Sequence, residues 1–184
     1  MMIWWGPDLL NFYNDAYRPI LRDKHPASLA APAAELWAEI WDVAGPMARG
    51  VMQGGPATWT EDLQLFIKSG AMAEETYFTF SYSPIPGDDG SVGGILNTVQ
   101  ETTAKVQIER QIRMLRDLAT RSAETKSEEE AWRVAAQVLS ANELDLPLFL
   151  LYALDDEHGA QLVGDGGWRD YEGPARPRRA PLDG

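Results

Sequence analysis

EETYFTFSYSPI at residues 74–85 and GGILNTVQETT at residues 93–103 flank the short sequence PGDDG. The first segment alternates large and small side chains, a period of two that predicts a strand with one apolar face. The aromatic side chains on that face are Phe78, Phe80 and Tyr82. The second segment is β-branched and alternates similarly, and the proline, glycines and aspartates between the segments favour a chain reversal. We therefore predict an antiparallel hairpin over 74–103, with an aromatic face that the rest of the fold covers.

A second hairpin is predicted at the start of the chain, where two apolar runs at 3–5 and 9–13 are separated by a Gly-Pro-Asp turn. Asn14 and Asp15 follow, and either side chain can accept hydrogen bonds from the free N–H groups of a helix that begins at Ala16. Because a proline falls near its first turn, we expect this helix to be short or irregular.

Helices and a fifth strand are predicted between the two hairpins. The apolar spacing of residues 33–43 predicts an amphipathic helix, which we expect Gly45-Pro46 to break before a second helix at 47–53. Residues 58–69 alternate as a strand. One parity of that strand carries Trp59, Glu61, Leu63, Leu65 and Ile67. The sequence thus predicts an α+β domain in which short helices cross one face of a five-stranded antiparallel sheet.

Composition and charge exclude several classes of function. The 184-residue chain has a net charge of −12 and a pI near 4.5, which disfavours binding to nucleic acid or to an anionic membrane. It has no cysteine, so it can form no disulfide, thiolate metal site or cysteine-linked flavin. The apolar start lacks basic residues and stops at Pro7, too short for a signal peptide or a membrane span. We expect a protein of the reducing cytoplasm.

Residues 104–126 predict a helical linker, since they are rich in charged, helix-favouring residues and contain no glycine or proline. Apolar and small residues recur in this linker at alternating steps of four and three. They are Ile108, Ile112, Leu115, Ala119 and Ser122. This spacing is typical of the seam of a short left-handed coiled coil. The alternative is a stripe that packs back on its own domain.

A further segment begins at Ser127, which with Glu130 forms a capping-box pattern for a helix that extends to residue 141. The runs 147–154 and 160–163 predict two strands. We expect residues 164–167 and the proline- and arginine-rich tail from 173 to be disordered. One helix and two strands cannot bury a stable core, so an incomplete domain is predicted.

The sequences WWGPDLLNFYNDAYRPIL (4–21), ETYFTFSYSPI (75–85) and GGILNTVQETTA (93–104) together resemble a PAS domain of bacterial multi-domain sensor histidine kinases. Asn14 matches the Asn that usually follows the second strand of such domains. Glu101-Thr102-Thr103 resembles the acidic-x-Thr signature that precedes the signalling helix. Residues 127–163 resemble the opening of a GAF domain. The resemblance implies a PAS sensory domain at 1–103, a coiled-coil-like linker at 104–126 and a partial GAF-like segment at 127–184.

The chain departs from that family in two respects. It begins at the first strand, whereas family members usually carry a segment ahead of it. Neither His25 nor His158 is followed by the pattern of a phosphoacceptor helix, and no glycine-rich nucleotide box follows. We therefore expect no enzymatic activity from this chain, and the resemblance implies that a parent protein-histidine kinase of a two-component phosphorelay supplies the output.

Ligand and signalling residues are predicted as two groups. Aromatic rings in a small α+β domain commonly line a cavity between sheet and helices. The predicted cavity residues are Tyr17, Trp37, Trp41, Phe78, Phe80, Tyr82 and Asn97, while most of the remaining tryptophans, Trp4, Trp5 and Trp59, are assigned to the core. The predicted signal-transmission residues are Asn14, Asp15, Glu101, Thr103, Ile108, Ile112 and Leu115. The first four also have structural roles, at the strand-to-helix corner and at the joint between sheet and linker.

Other candidates have plainer interpretations. His25 is a conceivable haem ligand in a fold of this kind, but a histidine at the surface or at a helix end is the favoured interpretation. Asp155, Asp156, Glu157 and His158 form an acidic turn with no further ligands at metal-binding spacing. The ligand, if one exists, is unspecified by the sequence.

The function expected from these patterns is a sensory and dimerisation module that relays ligand or partner binding through the linker helix of a homodimer. Two alternatives stay open. The first is an interaction domain with a filled core and no ligand. The second is a small-molecule enzyme that uses the aromatic cavity, for which the sequence offers no credible catalytic set.

Overall fold

The structure, a computed structural model, describes residues 1–69, 72–154, 159–168 and 175–181. It divides into two compact units, Met1–Val106 and Gln107–Gly184. The first unit contains a five-stranded sheet, and the second contains a three-stranded sheet. The three-part division at 103 and 126 stays a prediction.

The sheet of the first unit is antiparallel throughout, with strand order β2-β1-β5-β4-β3. Its strands are β1 Met2–Trp5, β2 Leu10–Tyr13, β3 Thr58–Ser69, β4 Met72–Pro86 and β5 Val92–Glu101. The central hairpin is β4–β5, in which Phe80 pairs with Val99 and Tyr82 with Asn97. The predicted α+β fold, with both hairpins and five antiparallel strands, is confirmed.

The helices of the first unit cover the aromatic face of this sheet, where α3 contacts β4 and β5. They are α1 Arg18–Leu21, α2 Ala33–Leu36 and α3 Trp41–Met52, with 3₁₀ turns at Asp15–Tyr17, Arg22–Lys24 and Ala38–Ile40. The unit also includes the first turn of α4 Thr103–Ala123, which follows β5. The short, irregular helix predicted after residue 15 is therefore present as three consecutive turns.

The predicted break at Gly45-Pro46 is wrong, because α3 runs through both residues. A proline in a helix loses one hydrogen bond and crowds both the carbonyl four residues earlier and the Cβ of the preceding residue, and Gly45 removes the last of these clashes because it has no Cβ. The break lies instead at Trp37, whose φ of −111° and ψ of 30° lie outside the helical region.

Strand β3 contains an irregularity that changes the predicted parity. Its pairing with β4 shifts between Thr60 and Leu63, and Asp62 adopts a φ of 47°. One extra residue in a strand turns the following side chains to the opposite face. Trp59 is consequently 68% exposed, while Leu65 and Ile67 are buried. The expectation that most of the tryptophans belong to the core does not hold for Trp59.

The core of the first unit lies between the sheet and the helices, and it includes a hydrogen-bonded asparagine that the sequence analysis overlooked. Asn11 is 0% exposed. Its Oδ1 accepts a hydrogen bond from Nε1 of Trp4 at 2.7 Å, and its Nδ2 donates to the carbonyl of Ala31 at 2.6 Å. Trp4 is buried and packs against Trp41 and Tyr82. Trp5, by contrast, is exposed on the opposite face.

The second unit comprises the rest of α4, the helix α5 Glu128–Ser140, and a sheet of order β6-β7-β8. Its strands are β6 Phe149–Leu154, β7 Gly159–Gly166 and β8 Arg179–Pro181. The predicted cap is present, since Ser127 Oγ accepts from the N–H of Glu130 at 3.2 Å. Residues 164–166, predicted to be disordered, belong to β7, and part of the tail forms β8. Pairing with neighbouring strands accounts for both differences, since Gly166 pairs with Phe149 of β6 and β8 pairs with β7.

Candidate functional site

A small cavity lies between the aromatic face of the sheet and the helices of the first unit. Its volume, measured as the space open to the centre of a water-sized sphere, is about 40 Å³. Its lining comes mainly from the sheet and from the segment between β2 and β3, and includes Met2, Trp4, Tyr17, Ile20, Trp37, Val43, Phe78, Phe80, Tyr82 and Asn97. Val43 is 44% exposed, so the wall reaches the surface at α3.

Six of the seven predicted cavity residues lie together on this wall: Tyr17, Trp37, Phe78, Phe80, Tyr82 and Asn97. Trp41 does not belong to the wall. Its indole lies over Gly45 of its own helix, where a Cβ would be 2.8 Å from Trp41 Nε1, and its ring packs edge-on against Trp4. Met2 and Trp4 also line the cavity, although they were not predicted to. Side-chain alternation along a strand does not show which strand lies beside it in the sheet.

Two polar atoms on the wall have no hydrogen-bond partner within the described part of the chain. They are Nε1 of Trp37 and Oδ1 of Asn97. Trp37 is 2% exposed and Asn97 is 4% exposed, so neither atom is satisfied by bulk water. Buried polar groups in native proteins are almost always hydrogen-bonded. Trp37 and Asn97 therefore each bring an unpaired polar group to the residues that line this cavity.

The phenols of the wall carry no charge at physiological pH. Burial raises the pKa of Tyr17 above its ordinary value, and the neighbouring Tyr82 raises it further. Burial also raises the pKa of Tyr82. Tyrosine already titrates near 10 in water, so both side chains remain neutral.

His25 lies away from this wall. Its Nδ1 is 2.9 Å from the hydroxyl of Tyr13, which also contacts Ser28 Oγ at 2.8 Å, and these contacts hold the loop before α2. Among the described residues no group of three or more His, Asp and Glu side chains could hold a metal ion. The acidic turn 155–158, with His158, lies outside the described residues.

A chain of polar contacts joins the helical segment to the end of β5. The guanidinium of Arg22 lies 2.5 Å from Glu74 and 4.0 Å from Glu101. Glu101 Oε1 accepts from the hydroxyl of Thr103 at 2.9 Å, and that hydroxyl accepts from the N–H of Tyr77 at 3.0 Å. Two of the predicted signal-transmission residues, Glu101 and Thr103, therefore lie at this junction between β4, β5 and α4.

The first turn of α4 is also tied to the bulge of β3. Asp62 Oδ2 accepts from the ammonium of Lys105 at 2.9 Å, and the hydroxyl of Thr79 lies 3.5 Å from Oδ1. The hydrogen bond from Lys105 holds the pKa of Asp62 below its usual range, and Thr79 acts in the same direction. The left-handed φ of Asp62 thus places its carboxylate against the first turn of α4.

Asp62 is expected to titrate below the ordinary aspartate value of about 3.9. Because its pKa is depressed in the folded state, its contribution to stability is present above that value and is lost as pH falls through the folded pKa. In Lys105→Met we expect the pKa to rise towards normal, measured from the side-chain carboxyl ¹³C shift. Lys68→Met, on the same strand, should leave it unchanged. An identical Asp62 titration in both variants would contradict this assignment.

Asn14 and Asp15 occupy the predicted corner without making the predicted cap. The turn at Asp15–Tyr17 has no side-chain cap hydrogen bond. Asn14 Oδ1 instead accepts from the amino terminus of Met1 at 3.3 Å, and Asp15 is exposed beside Arg18. The backbone closes the corner, since the carbonyl of Asn14 accepts from the N–H of Tyr17 at 2.9 Å.

The apolar stripe of the linker is exposed on α4. Ile108, Ile112 and Leu115 each have more than half of their surface accessible. No helix within the described residues is long and apolar enough to cross a membrane.

No protein-family model matches the chain. No curated protein matches it either. Two solved chromophore-binding domains from Stigmatella aurantiaca align with 98% of the chain. A mutant bacteriophytochrome in the Pr state gives a TM-score of 0.35 at 10% identity over 57% of its length, and wild-type phytochrome gives 0.33 at 11% over 56%. This chain spans a little over half of each. At these TM-scores the similarity assigns no function, and the fold assignment rests on the strand order.

Proposed function

We propose that this chain is a sensory and dimerisation module of the PAS type, from a protein that resembles a bacterial sensor histidine kinase. Residues 1–103 sense a ligand or partner, residues 104–126 transmit the signal, and residues 127–184 begin a GAF-like domain. Kinase domains of a two-component phosphorelay form the output in the full-length cytoplasmic protein. No catalytic step belongs to this chain. The observation that carries the proposal is the polar connection from the cavity-lining segment to the first turn of α4.

The coupling begins at the helical segment that lines the cavity. Tyr17 and Ile20 are on the wall, and Arg22 follows them on the next turn. The φ of Arg22 is 55°, a conformation that costs a side-chain-bearing residue on the order of 1 kcal/mol and persists where surrounding contacts hold it. A molecule entering the cavity displaces this segment, and Arg22 then changes its contacts with Glu74 and Glu101. The segment thus has a strained residue that both carboxylates hold in place.

The signal reaches α4 through Thr103. Its hydroxyl contacts both Glu101 and the backbone of Tyr77, and the N–H of Thr102 donates to the carbonyl of Tyr77 at 2.7 Å. A change at Glu101 therefore alters how the first turn of α4 is held against β4. In a dimer, this changes the register or crossing angle of the linker helix against its twin.

Thr103→Val is expected to loosen this junction. The variant leaves the N–H of Tyr77 without its side-chain acceptor, so we expect a loss of about 1 to 2 kcal/mol in the free energy of unfolding. Hydrogen exchange at the Tyr77 amide should accelerate by roughly tenfold, since 1.4 kcal/mol corresponds to a factor of ten. Thr103→Ser keeps the hydroxyl and serves as the control. If the Tyr77 amide exchanged at the same rate in both variants, the hydroxyl of Thr103 would have no part in holding the first turn of α4 against β4.

The proposed dimer forms along Ile108, Ile112 and Leu115. Their heptad spacing matches a left-handed seam, and their exposure leaves them open to the same stripe of a second copy. Native mass spectrometry of protein purified from cells is expected to detect a dimer that Ile112→Lys converts to a monomer. Thr120→Lys places the same charge off the seam and should leave the dimer intact. A monomeric wild-type protein with a flexible linker would overturn the proposed function.

The second candidate function is an interaction domain with a filled core and no ligand. The small size of the cavity favours it. At about 40 Å³ the cavity is far below the roughly 300–1,000 Å³ of typical cofactor and drug-sized sites. The same mass spectrum distinguishes the two candidates. A dimer that loses a discrete small mass on mild denaturation supports the sensor, whereas a dimer of bare polypeptide mass supports the interaction module.

A further inference from the structure

The two unpartnered atoms of the cavity are complementary in their hydrogen-bonding roles. An indole N–H can only donate, and an amide oxygen can only accept. Trp37 Nε1 and Asn97 Oδ1 both belong to residues on the wall, and both are buried without a partner among the described residues. Leaving such a group unsatisfied destabilises the folded protein. An occupant that accepts from Trp37 and donates to Asn97 removes both costs.

The other buried indole of the cavity wall provides an internal comparison. Trp4 Nε1 donates to Asn11 Oδ1 at 2.7 Å, so the chain supplies its own acceptor there. At Trp37 it supplies none, although Asn97 has an acceptor oxygen on the same wall. Two buried indoles of one wall thus differ, since Trp4 has an acceptor from the chain and Trp37 has none among the described residues.

The wall offers nothing to compensate a charge. Its described lining contains no Asp, Glu, Lys, Arg or His, and the phenols of Tyr17 and Tyr82 are neutral. The ammonium of Lys24 is 5.0 Å from the centroid of the Trp37 ring, but it donates to Glu39 and to the carbonyl of Leu36. Removing an ion from water costs several kcal/mol unless an opposite charge meets it. An ionic occupant is therefore disfavoured.

The volume limits the occupant to a few non-hydrogen atoms. One water requires on the order of 10 to 15 Å³ of such space, so a cavity of about 40 Å³ has room for roughly three.

We infer that the cavity binds a small uncharged molecule carrying one hydrogen-bond acceptor, for Trp37 Nε1–H, and one donor, for Asn97 Oδ1, such as a primary amide or an alcohol. This inference rests on the proposed sensory function and specifies its ligand class. The apolar rings of Phe78, Phe80 and Tyr82 enclose the remainder of the molecule.

The test compares three probes of nearly equal size and shape: acetamide, acetone and acetate. Acetamide has a donor and an acceptor, acetone lacks the donor, and acetate is an anion. Each is titrated into the ¹⁵N-labelled full chain, and binding is followed at the indole N–H signal of Trp37, which Trp37→Phe identifies by its disappearance. We expect a saturable shift with acetamide, binding roughly fivefold weaker with acetone, and binding weaker by roughly tenfold or more with acetate.

Asn97→Val is expected to abolish the preference for acetamide over acetone, because it removes the acceptor. Thr98→Val, on the exposed face of β5, is the matched control and should preserve it. The comparison of probes on the wild-type protein requires neither variant to fold.

Acetate binding as tightly as acetamide, or acetone binding equally well, would overturn the inferred ligand class. So would the absence of any binding together with a water contact at the Trp37 N–H, since water alone would then satisfy both atoms. A charged ligand in the cavity of a coupled dimer would refute the ligand class and leave the sensory function standing. A monomer that binds acetamide selectively would refute the proposed sensory function and support the inferred ligand class.

Discussion

Asn11→Ala is expected to lower the free energy of unfolding of the first unit by about 3 kcal/mol. The substitution leaves Nε1 of buried Trp4 without an acceptor and removes the side-chain hydrogen bond to Ala31. An unsatisfied buried donor costs about 1 to 3 kcal/mol, and the space left by the amide adds to that cost. Chemical denaturation measures the change, and the thermal midpoint should fall by on the order of 10 °C.

Asn14→Ala is the matched control for that experiment. Asn14 is three residues away and exposed, and its Oδ1 contacts the amino terminus of Met1. Surface substitutions of this kind usually change stability by no more than about 0.5 kcal/mol. A Trp4→Phe background provides the sharper test, because it removes the indole N–H itself. If Asn11→Ala costs as much there as in the wild type, the Trp4 hydrogen bond is not the cause.

Gly94→Ala is expected to destabilise the unit by about 3 kcal/mol or to detach β1 from the sheet. A Cβ at Gly94 would lie 2.5 Å from the carbonyl oxygen of Trp4 and 2.7 Å from the ring of Trp5. The carbonyl belongs to the β1–β5 ladder, so it cannot retreat without breaking the pairing. Overpacking against such fixed atoms typically costs about 1 to 3 kcal/mol or more. Denaturation together with hydrogen exchange of the β1 amides measures both outcomes.

Gly50→Ala makes the same chemical change in open space. A Cβ at Gly50 meets nothing within 4 Å, and the residue lies in helix α3. Alanine is favoured over glycine in a helix by about 1 kcal/mol, so this variant should be as stable as the wild type or more stable. If Gly94→Ala retained both wild-type stability and β1 protection, the close approach of β1 and β5 would be disproved.

Both predictions concern the same wall of the cavity. β1 lies between β2 and β5, and it contributes Met2 and Trp4 to the lining. Asn11 orients Trp4 from β2, and Gly94 allows β1 to approach β5. Loss of either contact is therefore expected to weaken acetamide binding as well as stability, although neither residue contacts the occupant.

The central hairpin could be predicted because its information is local. Strict alternation of Phe78, Phe80 and Tyr82 defines a strand and its apolar face without reference to any other part of the chain. Local sequence patterns also predicted both strands of the first hairpin and the cap at Ser127. Phe78, Phe80 and Tyr82 share this face for the same reason, whereas Tyr17 and Trp37 reach the cavity only through the packing of the helical segment against the sheet.

Three errors arose where contacts outside the local apolar pattern decide the conformation. A bulge at Asp62 reverses parity within β3 and exposes Trp59, and no local pattern marks it. Trp41 lies on the apolar stripe of its helix, but the absent side chain of Gly45 lets its ring fold along the helix instead. β8 forms by pairing with β7, so a short polar tail becomes a strand only through its neighbour.

The strands of the two hairpins, the order of the elements up to β7, the acidic charge and the apolar stripe of the linker could be predicted, because they depend on side-chain periodicity and composition. Tertiary packing determines which buried polar groups find partners. Trp4 meets Asn11 across two strands, whereas Trp37 and Asn97 share a cavity without a partner in the described chain. Hydrogen bonds require distances near 3 Å between specific atoms, and residues far apart in sequence reach such distances only through the packing of the whole domain.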